Sequence, residues 1–299
     1  MSKLGEILLL TLNRWMPGSN RNLISAKLDQ ADYVEFFGQR SDGNFAVLGP
    51  LDLRGKNILD VGCGLGANLV YLCKQGIKRL TALDINPAQV LRSQTVLANR
   101  HPEYLSHVDF VPADATNMPF ANQSFDALVS ADTFEHIDNL RDTLLECFRV
   151  LRPGGRLYIF FPPFYAPWGA HMVNWINLPW CQILFAESTI LNVARRLERE
   201  GAAINNQLPP ETRLDLQDGN VIPFISHLTL RRFEHVLRTI PGWKVARVRL
   251  LPPGWRTGNW ISYLIQPLAR VPILNEMFTA RAVYVLEKSL KRRTSPEEH

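Results

Sequence analysis

The chain lacks the cysteine patterns of disulfide-rich and metal-binding proteins. Its 299 residues include four cysteines, and no two of them form a C-x-x-C pair. This spacing offers neither a disulfide framework nor a zinc site, so we expect free thiols in a reducing compartment. A soluble protein of the cytoplasm is therefore the expectation.

Long apolar runs and basic stripes are also missing. No apolar run approaches the roughly 18 residues that a membrane span needs. The first residues lack the small-residue cleavage site of a signal peptide. The net charge of +5 is mild and is not gathered into a stripe of the kind that binds nucleic acid. We therefore expect no transmembrane segment and no nucleic-acid partner.

Tryptophan is absent from residues 57–161, although the chain contains seven. Because the regular part of the chain needs none of them, we interpret residues 162–228 and 251–280 as aromatic-rich inserts that cap it. Tryptophan supplies a large rigid apolar area, which suits a pocket wall or the core of the cap itself. The seven are Trp15, Trp168, Trp175, Trp180, Trp243, Trp255 and Trp260.

The first 16 residues have an apolar pattern at helical spacing. Leu4, Leu8, Leu12 and Trp15 recur along one stripe, and Pro17 follows them. Such a helix can pack over the main domain, or it can lie on a membrane surface or over a substrate. The sequence leaves these alternatives open.

A glycine-rich turn organises the rest of the chain. A short apolar strand over residues 57–61 is followed by Gly62, Gly64 and Gly66, and then by an amphipathic segment. Strand, glycine turn and helix let the backbone approach a ligand closely and aim helix N–H groups at it. The pattern predicts a nucleotide-type cofactor site.

Alternating strands and helices extend this unit into an α/β domain. Apolar strands separated by helices predict a mostly parallel sheet with helices on both faces. Asn86 and Pro87 predict the start of one helix, and Asp138 is the predicted cap of another that includes Leu151. The predicted strands are 57–61, 79–84, 108–111, 125–130, 156–161, 243–250 and 281–286. The predicted division is an N-terminal helical lid segment (1–56), a core (57–161 and 229–288), two substrate-cap inserts (162–228 and 251–280) and a tail (289–299).

Three carboxylates narrow the choice of cofactor. The glycine pattern alone also fits a dinucleotide. Asp60 lies two residues before the first glycine, Asp84 ends the second strand, and Asp114 follows the third. Asp84 is placed to accept both ribose hydroxyls, and Asp114 is placed to accept an adenine amino group. Together they favour a nucleoside with further polar contacts.

At these residues the sequence resembles the class I S-adenosylmethionine-dependent methyltransferases. The similarity is greatest to the small-molecule group that includes the ubiquinone and menaquinone biosynthesis enzymes. The resemblance implies a Rossmann-like seven-stranded sheet and S-adenosylmethionine as the cofactor. It is carried by residues 59–66, 83–86, 114–120, 125–129 and 151–155.

The resemblance also assigns the cofactor contacts. Asp60 and the glycines would cradle the methionine end, and Asp84 would bind the ribose. Asp114, Ala115 and Met118 would lie at the adenine. The implied set is Asp60, Gly62, Cys63, Gly64, Gly66, Asp84, Ile85, Asp114, Ala115, Met118 and Ala131.

Two histidines are candidates for a general base, because an imidazole suits removal of a phenol or hydroxyl proton. His136 follows the fourth strand, and His171 follows the fifth. A role for His136 at the start of the next helix is equally compatible. Relatives that hold a divalent metal in a Glu-x-x-Glu-His pattern make Asp132, Glu135, His136 and His171 candidate metal ligands. Asp132 replaces the first glutamate of that pattern, so we predict no metal.

The expected function is transfer of a methyl group to an oxygen or carbon of a small, largely apolar acceptor, such as a quinone-, polyketide- or lipid-like molecule. A metal-assisted RNA methyltransferase and a nicotinamide-dependent oxidoreductase are the alternatives. A partner subunit that binds the cofactor without transferring a methyl group also fits. The sequence leaves the acceptor, the methylated atom and the oligomeric state open.

Overall fold

The computed structural model describes nine stretches of the chain, which together include every predicted strand. The stretches are 3–16, 45–49, 51–203, 216, 221–222, 225–254, 267–268, 271 and 274–290. Trp255 and Trp260 of the predicted cap, most of the second insert and much of the predicted lid segment lie outside the described residues.

Seven strands form one sheet in the order β3-β2-β1-β4-β5-β7-β6. The first five run parallel, and β7 runs antiparallel to both β5 and β6. The predicted Rossmann-like sheet is confirmed. The strands are β1 (Asn57–Val61), β2 (Arg79–Asp84), β3 (Val108–Pro112), β4 (Phe125–Ala131), β5 (Leu151–Phe161), β6 (Trp243–Leu251) and β7 (Arg281–Lys288).

The helix after β2 begins at a side chain that caps it. The Asn86 side chain accepts a hydrogen bond from Ala88 N at 3.0 Å, and Pro87 occupies the first helical position, as predicted. The helices are α1 (Lys3–Trp15), α2 (Leu69–Lys74), α3 (Pro87–Arg100), α4 (Pro102–Leu105), α5 (Leu140–Val150), α6 (Cys181–Leu184), α7 (Glu187–Arg199) and α8 (Leu230–Arg238).

Two local predictions differ from the structure. Asn139, and not Asp138, caps α5, because the Asn139 side chain accepts from Asp142 N. Leu151 was predicted on the helix but begins β5, which is longer than the pattern suggested. The strand continues through the 153–155 segment, where its pairing with β4 shifts register.

Hydrophobic clusters cover both faces of the sheet. Alternate residues of β1 face opposite sides: Leu59 and Val61 pack with α5 and α8, whereas Ile58 packs with Phe45 and α2. The sheet is therefore buried on both faces, which explains why its parallel strands are apolar throughout.

A third cluster forms the core of the cap. Trp175 is buried there among apolar residues of the first insert, and Leu9 and Leu10 of α1 join them. Trp243 is instead on β6, with its ring 5.1 Å from that of Phe148. Trp175 therefore helps to form the cap core, and α1 packs with the cap. The boundaries of the predicted segments stay a prediction.

Candidate functional site

The glycine turn after β1 is built so that a side chain cannot fit. Gly62 has a φ of +77°, and a Cβ there would lie 2.1 Å from Thr133 Cγ2. The Thr133 hydroxyl donates to the Gly62 carbonyl at 3.1 Å. Gly62 N and Cys63 N both donate to the Leu83 carbonyl at 2.8 Å. The turn is therefore fixed against the ends of β2 and β4, with its backbone at the carboxyl edge of the sheet.

Asp60 is a buried carboxyl in the first strand without a bonding partner. Its side chain is fully inaccessible, and neither oxygen has a hydrogen-bond partner in the described structure. Burial raises the pKa of Asp60 to about 7, and the charge of Asp84 adds to the effect. Burial of an unpaired carboxylate raises the free energy of the folded state by on the order of several kcal/mol. This position is therefore suited to a cationic ligand group such as an ammonium.

Asp84 ends β2 and holds the glycine turn. Its Oδ2 accepts from Gly64 N at 2.9 Å, and its Oδ1 accepts from Asn86 N at 2.9 Å. A carboxylate oxygen accepts more than one hydrogen bond, so both can also receive ribose hydroxyls. The next residue, Ile85, is 67% exposed and offers an apolar surface beside them. The arrangement suits a nucleoside.

The other predicted cofactor residues divide between the surface and the core. Asp114 is exposed, and its Oδ1 accepts from Thr116 N at 2.8 Å. Ala115 and Ala131 are half-buried, and Cys63 is buried in the turn. Met118 is buried in the core. The predicted adenine contacts of these residues stay predictions.

The candidate bases lie at the same edge of the sheet. Glu135 is 2% exposed, and its Oε1 is 3.9 Å from His171 Nε2, too far for a hydrogen bond. The rings of His171 and His136 have centroids 5.1 Å apart. The His171 side chain is 25% exposed, whereas His136 is exposed. The two histidines therefore lie between a buried carboxyl and solvent.

Two residues of this group have a left-handed backbone. Asp132 has a φ of +56° and His171 has a φ of +55°. Such a conformation costs about 1 kcal/mol for a residue with a side chain, and it is often kept where a functional side chain must point in a set direction. Arg281 holds Asp132 through Nη2, 2.8 Å from Oδ1.

Burial sets the charges of the candidate base and its neighbour. Burial raises the pKa of Glu135 well above its usual range, and the Asp132 charge raises it further. Burial and the nearby His136 lower the pKa of His171 to about 4. Burial therefore favours the protonated form of Glu135, and His171 is neutral at neutral pH, so His171 can accept a proton.

The four candidate metal ligands are not grouped around a common point in the described structure. Arg281 binds Asp132, which removes that carboxylate from the group. Across the described ranges, no three His, Cys, Asp or Glu side chains lie where they could share an ion. The sequence reasoning missed Arg281 because 149 residues separate it from Asp132. Thr133 was also not predicted. The available signal was that it is a β-branched residue next to the candidate Asp132.

A protein-family model described as "Methyltransferase domain" matches residues 59–159. The chain is 39% identical over 108 residues to a phthiotriol/phenolphthiotriol dimycocerosates methyltransferase of Mycobacterium leprae, which is 36% of this chain and 38% of that protein. It is 33% identical over 105 residues to O-methyltransferase resE of Aspergillus sclerotiorum, which is 35% of this chain and 39% of that protein. The matches therefore span less than half of either relative.

Solved structures share the fold. An S-adenosylmethionine-dependent methyltransferase from Mesorhizobium loti aligns with a TM-score of 0.51 at 14% identity, over 84% of this chain and 100% of that one. A geranyl diphosphate methyltransferase in complex with the same cofactor also aligns with a TM-score of 0.51 at 14% identity, over 86% and 88%. The resemblance seen in residues 57–161 is confirmed by the family match and by the fold.

Proposed function

We propose that this chain, which carries a methyltransferase domain across residues 59–159, transfers a methyl group from S-adenosylmethionine to a small, largely apolar acceptor. The observation that carries the proposal is the unpartnered, buried Asp60 carboxyl beside a glycine turn whose Gly62 position admits no side chain. A relative named for phthiotriol and phenolphthiotriol dimycocerosates supports a lipid- or polyketide-like acceptor.

The chain's own residues fit this cofactor. Asp60 would face the ammonium of its methionine end, the glycine turn would approach it through backbone, and Asp84 would accept the ribose hydroxyls. When bound, the cofactor supplies an electrophilic methyl group. The protein then has to orient the acceptor and exclude water, which are the main contributions to such a transfer.

His171 is the proposed general base. It is half-buried and neutral at neutral pH, and it lies beside the buried Glu135. A hydroxyl becomes a strong acid as its oxygen gains a methyl group, so a base with a low pKa is sufficient to receive its proton. The exposed His136 ring is next to His171 and would pass the proton to solvent.

The acceptor's apolar body is proposed to lie along the loop that carries His171. Tyr165 and Trp168 of this loop are both partly exposed, although they are large and apolar. Exposed aromatic side chains beside polar groups are typical of ligand sites. Their position after β5 places them at the carboxyl edge of the sheet, where open α/β sheets bind ligands.

Calorimetric titration of S-adenosylmethionine and of NADH into the full chain tests the proposal. We expect S-adenosylmethionine to bind with a micromolar Kd and NADH not to bind. Binding of NADH alone would favour the oxidoreductase, and binding of neither would contradict the assignment of the cofactor. Radiolabelled methyl transfer to a panel of phenolic and lipid extracts then tests the catalytic step.

We also propose that α1 contacts a membrane surface. Its inner face packs on the cap, where Glu6 Oε1 accepts from Asn192 Nδ2 at 2.9 Å. Its outer face is apolar and open to solvent, with Trp15 83% exposed. The exposed apolar residues are Leu4, Ile7, Leu8, Leu12 and Trp15. No helix in the described part of the chain is long and apolar enough to cross a bilayer, so the contact would be peripheral.

Basic residues lie at both ends of α1 and on the neighbouring α7. Lys3 and Arg14 are exposed on α1 itself. Arg195, Arg196 and Arg199 of α7 line the groove beside Glu6. An apolar helix face flanked by arginine and lysine fits a membrane with anionic headgroups, because burial of the apolar face and charge attraction add. The cytoplasmic location stays a prediction.

A further inference from the structure

The connection between β3 and β4 crosses the sheet without a helix. The two strands run parallel and are separated in the sheet by β2 and β1. Residues 113–124, which join them, contain turns and bends but neither helix nor strand. Such a crossover is usually a helix, which pairs its own backbone groups. This segment cannot do so, and where it is buried it needs partners from elsewhere in the protein.

Two side chains of α5 supply these partners. Glu146 Oε2 accepts from Met118 N at 2.8 Å. Arg149 Nη2 donates to the Met118 carbonyl at 2.9 Å, and Arg149 Nη1 donates to the Phe120 carbonyl at 2.6 Å. Arg149 Nη1 also donates to Asn122 Oδ1 at 3.0 Å. We call Glu146 and Arg149 the α5 pair, and it binds both backbone groups of Met118.

Arg149 makes hydrogen bonds from all three of its side-chain nitrogens. Nε and Nη2 each donate to a Glu146 oxygen at 2.7 Å, which is a bidentate ion pair that orients the guanidinium. With the three bonds to residues 118–122, these match the N–H groups of a guanidinium, so its donors are fully used. The Glu146 side chain is 17% exposed, which shields the pair from water. The whole fork of Arg149 therefore serves to hold this segment.

The held segment carries the predicted adenine contacts. Ala113 N donates to the Asp84 carbonyl at 2.9 Å, so the segment begins beside the proposed ribose contact. Asn117 N donates to the Asp114 carbonyl at 3.1 Å, and this turn leads to Met118, which is buried in the core. The exposed Asp114 therefore lies between two anchors, β2 on one side and the α5 pair on the other.

We propose that the α5 pair positions Asp114 for recognition of the adenine base, so that the site selects a 6-aminopurine over a 6-oxopurine. Glu146 and Arg149 are positioning residues, because they act through the segment that they hold. The inference rests on the proposed function and deepens it. It assigns the base preference of the cofactor site to two side chains that lie outside the glycine turn and the three carboxylates.

The test compares two ligands that differ only at position 6 of the purine. S-adenosylhomocysteine has an amino group there, whereas S-inosylhomocysteine has an oxygen, which cannot donate to a carboxylate. In calorimetric titrations of the full chain, we expect the adenosyl ligand to bind about 30-fold more tightly, as for loss of a hydrogen bond to a charged group.

Arg149→Met keeps an unbranched apolar side chain and removes every N–H donor. The preference for the adenosyl ligand should fall to about threefold, because Asp114 is then no longer held in place. A loss of general stability alone would weaken the binding of both ligands equally. A preference that stays at about 30-fold in this variant would overturn the inference.

Arg152→Met is the matched control. Arg152 Nε donates to the Gln123 carbonyl at 3.0 Å, and the side chain also binds Asp126. It therefore anchors the same segment at its other end, next to β4. This variant should keep the preference of about 30-fold. Loss of the preference in both variants would contradict a specific role of the α5 pair.

Arg149→Lys tests the inference if the methionine variant does not fold. It keeps a positive charge beside Glu146, but a single nitrogen cannot reproduce the planar fork, so the preference should fall to about tenfold or less. Hydrogen exchange of the ligand-free chain adds a readout that needs no cofactor. The Met118 amide should exchange about tenfold faster in either Arg149 variant, with Gly64 unchanged. An unchanged Met118 amide would overturn the anchoring role.

The two proposals fail in different ways. If neither ligand binds to the wild-type chain, the proposed function fails and the inference about the base falls with it. If S-adenosylhomocysteine binds with a micromolar Kd but the wild-type chain shows no preference between the two bases, only the inference about the base fails.

Discussion

Each half of the candidate active site contains a buried, unpaired carboxyl, but the two halves are assembled from the chain in different ways. The cofactor half contains Asp60, and the acceptor half contains Glu135; both carboxyls are buried without a partner in the part of the chain that the structure describes. Asp60 and the groups around it come from residues 60–86, a single strand-helix-strand unit. The acceptor half combines Glu135 with His171 and Arg281, which come from three distant parts of the chain.

This difference explains why the cofactor half can be recognised from the sequence and the acceptor half cannot. A ligand held by one local unit requires fixed residue types at fixed spacing, such as the Gly62 turn and Asp84. A pocket assembled across a sheet requires only that side chains meet in space, so its residues can lie at any spacing. The acceptor half can therefore differ between relatives that share the same cofactor half.

The largest effect is expected from breaking the cofactor half. Asp84→Ala removes the carboxylate that holds Gly64 N and Asn86 N and that would bind the ribose. We expect S-adenosylmethionine to bind about 100-fold more weakly, which corresponds to about 3 kcal/mol. Calorimetry measures the Kd. Asp109→Ala is the control, because Asp109 binds Arg79 at the surface; an equal loss in both variants would contradict the assignment.

Breaking the acceptor half should leave the cofactor in place. His171→Ala is expected to lower kcat about 100-fold, as is typical for loss of a general base, while the Kd for S-adenosylmethionine changes less than twofold. Methyl-transfer kinetics and calorimetry measure the two quantities. His235→Ala, an exposed histidine on α8, should change neither. A lowered affinity for the cofactor in the His171 variant would place this residue in the cofactor half.

The pH dependence of cofactor binding tests the role of Asp60 in the cofactor half. The pKa of Asp60 is about 7 in the folded protein, and a bound ammonium requires the ionised form. The affinity for S-adenosylmethionine should therefore rise about tenfold per pH unit between pH 5 and 7 and level off above pH 7. Calorimetry over this range measures it.

Asp60→Asn is the control for this dependence. Its affinity should be low and should not vary over the same pH range. Without ligand, it should also be more stable than the wild type above pH 7, because a raised carboxyl pKa destabilises the fold as the pH increases from about 4 to 7. An unchanged pH profile in this variant would contradict the role of Asp60.

The smallest effect is expected outside both halves, at α1. Leu8→Asp places a charge on the exposed apolar face and should weaken co-sedimentation with vesicles of phosphatidylcholine and phosphatidylglycerol about tenfold. Leu91→Asp changes another exposed leucine, on α3, and is the matched control. Cofactor binding should be unchanged in both. Vesicle binding that is equal in the two variants would remove α1 from the membrane contact.

Much of the fold could be predicted from the sequence because its signals are local. The strand-turn-helix unit at Gly62 and the cap and proline at Asn86 and Pro87 are set by residues within one or two turns of chain. The Leu151 boundary was missed because β5 continues through a proline and two glycines, and strand pairing across the sheet outweighs local propensity there.

The sequence alone predicted the candidate cofactor half, with Asp60, the glycine turn and Asp84, because these residues lie within one local strand-turn-helix-strand unit. Which residues form the acceptor half depends on the tertiary structure. Pairing of β5 with β7 brings Arg281 to Asp132, where the two side chains form an ion pair. Burial then raises the pKa of Glu135 and lowers that of His171. Pairing and burial depend on residues far apart in the chain, and a local pattern does not contain them.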